Sequence, residues 1–155
     1  MTLAPLLAAA LQTMALTASP ADPASGEARA VLVPVEAVFA ALAAKDGGLI
    51  TPHLDPEARM TAVVARPDGT QVIRRMSGAE FAGGLQPGGP MLEEVMPDPI
   101  VAIDGDVAMV FGRYVFRIDG AVSHCGSNHF DMVRRDGVWA IAGITWNQVT
   151  EGCEG

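Results

Sequence analysis

Four Asp-Gly pairs constrain this chain more than any other feature: Asp68-Gly69, Asp104-Gly105, Asp119-Gly120 and Asp136-Gly137. A two-residue type I′ turn needs positive φ at both central positions, which Asp-Gly tolerates best, so each pair marks a hairpin. The runs between them have strand character, over 59–66, 70–76, 91–103, 106–118, 121–135 and 138–149. Six runs joined by such turns predict an antiparallel meander.

The residues before and between these runs are helical in pattern. In "LVPVEAVFAALAA", 32–44, Val35, Val38, Phe39 and Leu42 fall at helical spacing, with Pro34 suited to a first turn and "KDGG" as the stop. "LITPHL" predicts a short second helix, and "DPEA", 55–58, a turn. Ser77 followed by Glu80 is a capping-box pattern and starts a helix before the Gly/Pro run that ends at Pro90. Helices segregated from an antiparallel sheet give an α+β class: a curved six-stranded sheet wrapped around N-terminal helices, forming a cone with an interior pocket.

The 155 residues fit one domain, placed at 32–153. Residues 1–21 read as an export signal, an apolar run from Leu3 to Leu16 followed by small residues and prolines, although no Lys or Arg precedes the run. The alternative is an Ala-rich leader or a misassigned start. Residues 22–31 read as a flexible leader. The expected location is therefore periplasmic or secreted, with no membrane association once the signal is removed. A net charge of −8 and the absence of any basic run argue against nucleic acid and anionic membrane as partners.

If each Asp-Gly forms a two-residue loop, Val115 faces His124, Arg113 faces Gly126, Phe111 faces Asn128 and Asn128 faces Thr145. Strand alternation then sorts the residues into two faces. The expected inner face carries Val107, Met109, Phe111, Arg113, Val115, His124, Asn128, Phe130, Met132, Trp139, Ile141, Thr145 and Asn147. The expected outer face carries Ala108, Val110, Gly112, Tyr114, Phe116, Ser123, Cys125, Ser127, His129, Asp131, Ile144 and Trp146, of which Tyr114, Phe116, Ile144 and Trp146 form an apolar patch that predicts a homodimer through the outer sheet face. Arg113, Asn128, Asn147 and Trp139, joined by Glu94 and Asp98 from the third strand, become the candidate ligand contacts, with His124 as candidate acid/base. A buried Arg113 requires an anion, either an internal carboxylate or an acidic ligand. A bulge reverses the phase of everything beyond it, and Pro97 and Pro99 favour a bulge or an edge in the third strand.

"SHCGSNHF", 123–130, concentrates two of three histidines and one of two cysteines. His124 and Cys125 are strand neighbours and point to opposite faces, which disfavours a nucleophile–base pair. Cys125 and His129 share a face about 13 Å apart, too far for one metal ion without ligands from elsewhere. In an oxidising compartment Cys125 and Cys153 form a disulfide candidate. The tail after the last strand must then fold back, because Cys125 is expected opposite Gln148; otherwise Cys125 is a buried free thiol.

The order of "VEAVFAALAAKDGGLITPHLDPEARM", "MSGAEFAGGL" and "DGAVSHCGSNHFDMVRRDGVWAIAGITWNQVTEGC" resembles the nuclear-transport-factor-2-like superfamily, which includes SnoaL-like and ketosteroid-isomerase-like proteins. The resemblance spans roughly 32–153, and the ending looks like an exported bacterial branch of unknown role. It implies a deep pocket and frequent dimers. The catalytic Asp-Tyr-Asp set of ketosteroid-isomerase-like proteins does not map onto this sequence, since Tyr114 is expected outside. Asp98 alone is placed for a SnoaL-like acid/base. The expected function is binding of a small apolar or acidic ligand, with no cofactor and no metal. The alternatives are an isomerase, dehydratase or hydrolase using His124, and an interaction module whose pocket is filled by its own side chains.

Overall fold

The computed structural model describes residues 20–22 and 25–153. Apart from Pro20 and Ala21, the expected export signal lies outside the described residues.

Helix α1 spans Gly26–Ala44, so the segment expected to be a flexible leader supplies its first turns. The Ser25 side chain accepts the Ala28 N–H, and Ala28 and Val31 extend the apolar stripe through Val35, Val38, Ala41 and Leu42. The expectation put Pro34 in the first turn of a helix over 32–44; it instead sits inside the helix and removes one intrahelical donor. Lys45 closes the helix in the left-handed conformation, its N–H reaching the carbonyls of Ala41 and Leu42. The expected short helix is two 3-10 turns, Gly47–Leu49 and Thr51–His53.

Strand β1 spans Leu54–Ala65 and includes the "DPEA" expected to turn. Its ladder is interrupted between Leu54 and Arg59, where Asp55 Oδ1 accepts the Glu57 N–H. β2 (Gln71–Ser77) leads into α2 (Gly78–Gly84), whose capping box forms as read: Ser77 Oγ accepts the Glu80 N–H, and Glu80 accepts the Ser77 N–H. The expected third strand is two, β3 (Leu92–Val95) and β4 (Ile100–Asp104), separated at Pro97 and Pro99. Both pair with β5 (Val107–Ile118), followed by β6 (Ala121–Arg135) and β7 (Val138–Gln148).

The sheet is mixed and seven-stranded, ordered β2-β1-β7-β6-β5-β3, with β4 beside β5. The purely antiparallel expectation fails at one place: β1 runs parallel to β7. Turn chemistry reports only on consecutive strands, whereas this pairing joins the first strand to the last. The curved sheet stays unclosed and packs α1 on its concave side, in an α+β cone.

Two Asp-Gly turns have positive φ at both positions: Asp119 (50°) with Gly120 (80°), and Asp136 (52°) with Gly137 (79°). At the others the loop moves. Asp104 pairs with Val107, so the two loop residues are Gly105 and Asp106, and Asp68-Gly69 lies in a longer loop over 66–70.

Two bulges overturn the expected faces. Arg117 pairs with Val122 but Phe116 pairs with His124, leaving Ser123 as the extra residue. Met132 pairs with Ile141 but Asp131 pairs with Gly143, leaving Ala142 as the extra residue. The first bulge reverses the phase of β5 against β6; the second reverses β7 beyond Ile141. Tyr114, Phe116, Ile144 and Trp146 therefore belong to the interior cluster, while Arg113, Thr145 and Asn147 are exposed. The apolar patch that pointed to an outer-face homodimer is thus part of the core.

Candidate functional site

Between α1, α2 and the concave sheet lies a cavity of about 210 Å³. α1 lines it with Val38 and Leu42, α2 with Phe81, and β3 with Glu94. β5 contributes Tyr114 and Phe116, β6 contributes His124, Asn128 and Phe130, and β7 contributes Ile144, Trp146 and Gln148. Spacing by two along β5, β6 and β7 is what brings these side chains to one face. Phe81, Phe116, His124, Trp146 and Gln148 keep partial exposure and form the mouth; Val38, Tyr114, Asn128, Phe130 and Ile144 are buried and form the floor. Phe81 meets the Trp146 ring edge-on at 6.3 Å, so α2 is fixed to the sheet at the mouth. The interior is therefore not filled by its own side chains.

Asn128 is the buried polar side chain of the core, and its Nδ2 donates to Glu94 Oε1 at 2.7 Å. Glu94 as a residue keeps partial exposure, but its carboxyl is enclosed. Burial pushes that carboxyl up to about 7, against the opposing effect of the Asn128 bond. Near neutral pH it is both a donor and an acceptor. His124 stacks on Phe116 at 4.7 Å and meets Tyr114 edge-on at 5.9 Å, with Nδ1 3.2 Å from Ser123 Oγ. Burial lowers its pKa, which favours the neutral imidazole. Burial, then the Glu94 charge, raises the Tyr114 phenol and keeps it protonated. The hydroxyl donates to the Asn147 carbonyl at 3.0 Å, so its proton is already engaged.

That bond crosses β6 at Gly126, the residue paired with Tyr114. A Cβ at Gly126 would lie 1.9 Å from the Asn147 oxygen, so only glycine admits this approach. Asn147 also accepts the Ser127 N–H through Oδ1 at 2.7 Å, bracing the sheet from outside the cavity.

Of the residues chosen from sequence, the structure brings His124, Asn128 and Glu94 together around one cavity. It does not bring the others there. Arg113 is exposed on the reversed face of β5, its Nη2 4.0 Å from Cys125 Sγ. Asn147 is turned outward beyond the Ala142 bulge, and Asp98 is exposed in the break between β3 and β4. Trp139 is buried at the other end of β7 under the Arg134 guanidinium, 4.8 Å from its ring. Arg134 in turn pairs with Asp106 and Glu27. Sequence reasoning missed Tyr114, Phe116, Ile144 and Trp146 as lining residues, and set Arg113 inside without an assured partner. The cost of burying an unpaired guanidinium was the available signal that β5 had to shift.

Cys125 and Cys153 form a disulfide with their Cα atoms 5.3 Å apart. The tail folds back so that Val149, one residue past the expected Gln148, exchanges both backbone hydrogen bonds with Cys125. The one-residue offset follows from the Ala142 bulge. Among the described residues no group of His, Cys, Asp and Glu could hold a metal ion, and no helix is long and apolar enough to cross a membrane.

No family model matches the chain, and no curated protein does. Solved structures do. A putative calcium/calmodulin-dependent protein kinase II association domain from Xanthomonas campestris superposes with a TM-score of 0.59 at 24% identity, over 90% of this chain and 99% of that one. A nuclear-transport-factor-2-like protein of unknown function from Shewanella baltica gives 0.59 at 11% identity, over 81% and 95%. The β subunit of a putative aromatic-ring-hydroxylating dioxygenase from Novosphingobium aromaticivorans gives 0.63 at 12%, over 80% and 90%. At these identities the likeness is one of architecture, and it gives this chain the nuclear-transport-factor-2-like fold.

Proposed function

We propose that the chain is an exported small-molecule-binding domain whose ligand is mostly apolar, uncharged, and carries a hydrogen-bonding group. The observation that carries this reading is the Glu94–Asn128 pair, set into a mostly apolar cavity. A few convergent polar groups on apolar walls are the usual make-up of a ligand site. The acidic ligand expected from Arg113 is not retained. No lysine or arginine is among the lining residues, and an anion would meet the Glu94 carboxylate. A neutral carbonyl or hydroxyl is matched instead, by the second Asn128 amide hydrogen or by a protonated Glu94. The disulfide supports an oxidising compartment, which agrees with export.

Native mass spectrometry of protein purified from its own periplasm or medium tests the reading. A bound neutral small molecule is expected, and its loss should follow Asn128→Leu in protein that still folds. No bound molecule, together with no affinity for a panel of small neutral ketones and alcohols, refutes it.

A second reading is favoured by one observation, a carboxyl poised near neutrality. That is where a general acid or base works best. In that reading Glu94 transfers the proton and the neutral His124 hydrogen-bonds the substrate. Conversion of the co-purified molecule, abolished in Glu94→Gln while binding persists, would establish the enzyme.

A further inference from the structure

Glu94 faces two spaces. It lines the interior cavity, and it also lines a groove of about 490 Å³ between α1 and β3. The groove runs between α1 (Leu32, Val35, Phe39) and the broken segment Val95, Met96, Pro97 and Pro99. Its walls are apolar apart from Glu36 and Glu94. Two parts of the wall between the two spaces are identifiable. One part is the Glu94–Asn128 hydrogen bond. The other is the edge contact of Phe39, on the groove side, with Phe130, on the cavity side, at 6.4 Å between centroids. Glu94 keeps partial exposure while its carboxyl is enclosed, and it is the residue common to the two linings.

We propose that cavity and groove are two lobes of one site for an elongated, mostly apolar molecule with a hydrogen-bond acceptor near its middle. The Glu94 side chain is the movable wall between the lobes. This rests on the binding function proposed above and specifies its ligand. Three observations favour it over a compact ligand held in the cavity alone. At about 210 Å³ the cavity is below the ~300 Å³ at which drug-sized pockets begin. The Glu94–Asn128 pair sits at its boundary with the groove, apart from His124 and Gln148 at the mouth. The opposite boundary, β3 with the proline-broken 96–99 segment, has no ladder partner beyond β5 among the described residues. A Glu94 rotamer change breaks a single hydrogen bond and leaves Asn128 free to donate to the ligand.

Two isomeric ketones test the idea without a known ligand. 2-Nonanone and 5-nonanone have the same composition, but the carbonyl is near one end in the first and central in the second. If the site has two lobes with the donor between them, 5-nonanone should bind about tenfold tighter. That corresponds to one to two methylenes kept from water at roughly fourfold each. Titration of isotope-labelled protein should show 5-nonanone shifting both the Trp146 indole resonance and the Val95 and Met96 amides. Val95→Trp, which obstructs the groove from β3, should remove the preference and leave the cavity resonances responsive. Leu32→Trp does the same from α1 and serves if the first variant is unstable. Equal affinities, with shifts confined to the cavity, overturn the two-lobed site and leave the binding function standing. If neither ketone binds, both fall.

Discussion

Replacing Glu94 by glutamine should stabilise the protein at high pH and leave it unchanged at low pH. Burial raises the Glu94 carboxyl from an ordinary 4.5 to about 7. The native state therefore holds a proton that the unfolded chain releases. Below about pH 4.5 both states are protonated and Glu94 costs nothing beyond a neutral side chain. Between 4.5 and 7 the unfolded chain ionises first, and stability falls. Above 7 the carboxylate is charged inside an apolar cavity, and the loss is complete. At about 1.4 kcal/mol for each tenfold change in proton affinity, the full loss is roughly 3 kcal/mol. The partial exposure of Glu94 screens its charge, which brings the expectation to about 2 kcal/mol.

The glutamine introduced by Glu94→Gln keeps the carbonyl that accepts the Asn128 hydrogen bond and cannot ionise. Urea unfolding of both proteins from about pH 4 to about pH 8 should give coincident stabilities at the acid end. The variant should be ahead by about 2 kcal/mol at the alkaline end. His124 acts in the opposite sense. Burial lowers its pKa, so it contributes stability that is regained as pH rises through its ordinary 6.5. That contribution is common to both proteins and cancels in their difference. A difference that is constant across the range, or that grows toward acid, would falsify the placement of an enclosed carboxyl in the cavity wall.

The other expectations concern the frame around the cavity. Gly126→Ala places a Cβ 1.9 Å from the Asn147 oxygen, which is backbone and moves only with β7, so unfolding free energy should fall by at least about 2 kcal/mol. Denaturation curves coincident with wild type would show that Tyr114 does not cross β6 there. Reduction, or the double variant Cys125→Ser/Cys153→Ser, opens a loop of sequence separation 28 and should lower stability by about 3–4 kcal/mol, read from urea midpoints with and without reductant. Arg113→Ala should leave ketone affinity within twofold, because the side chain lies on the convex face; a larger loss in titration calorimetry would return Arg113 to the site.

Much of the fold was legible because its signals are local. Helical spacing over 35–42, the capping box at Ser77 and the I′ turns at Asp119 and Asp136 depend on a few adjacent residues, and all formed as read. The parallel β1–β7 pairing was not legible, since nothing in either strand marks a non-consecutive neighbour. The early start of α1 was hidden by its own composition. Ala28 and Val31 sit among small and charged residues that also suit a leader, and their burial appears only once the helix is packed against the sheet. In the candidate site, the β6 residues His124 and Asn128 were found, because β6 sets the reference phase for its neighbours. The β5 and β7 residues were not, because each lies across a bulge.

The bulges follow from a comparison the sequence contains but turn counting ignores. In the unbulged register the inner face takes Arg113, Thr145 and Asn147, and water meets Tyr114, Phe116, Ile144 and Trp146. Shifting one residue at Ser123 and one at Ala142 exchanges the two sets. Each large side chain so buried contributes roughly 1.5–3 kcal/mol, and the exchange also removes an unpaired guanidinium from the interior. Against this stands a local break in each ladder, worth on the order of 1 kcal/mol per lost hydrogen bond. The β5 exchange exposes Val107 and Phe111 in return, so the net gain comes from Ile144 and Trp146 on β7 and from moving Arg113 out of the interior. The bulges also bend β6 and β7, and that curvature is what the sheet needs in order to wrap α1. One rearrangement thus curves the sheet, turns its aromatic residues inward and leaves Glu94 and Asn128 as the polar pair of an apolar cavity.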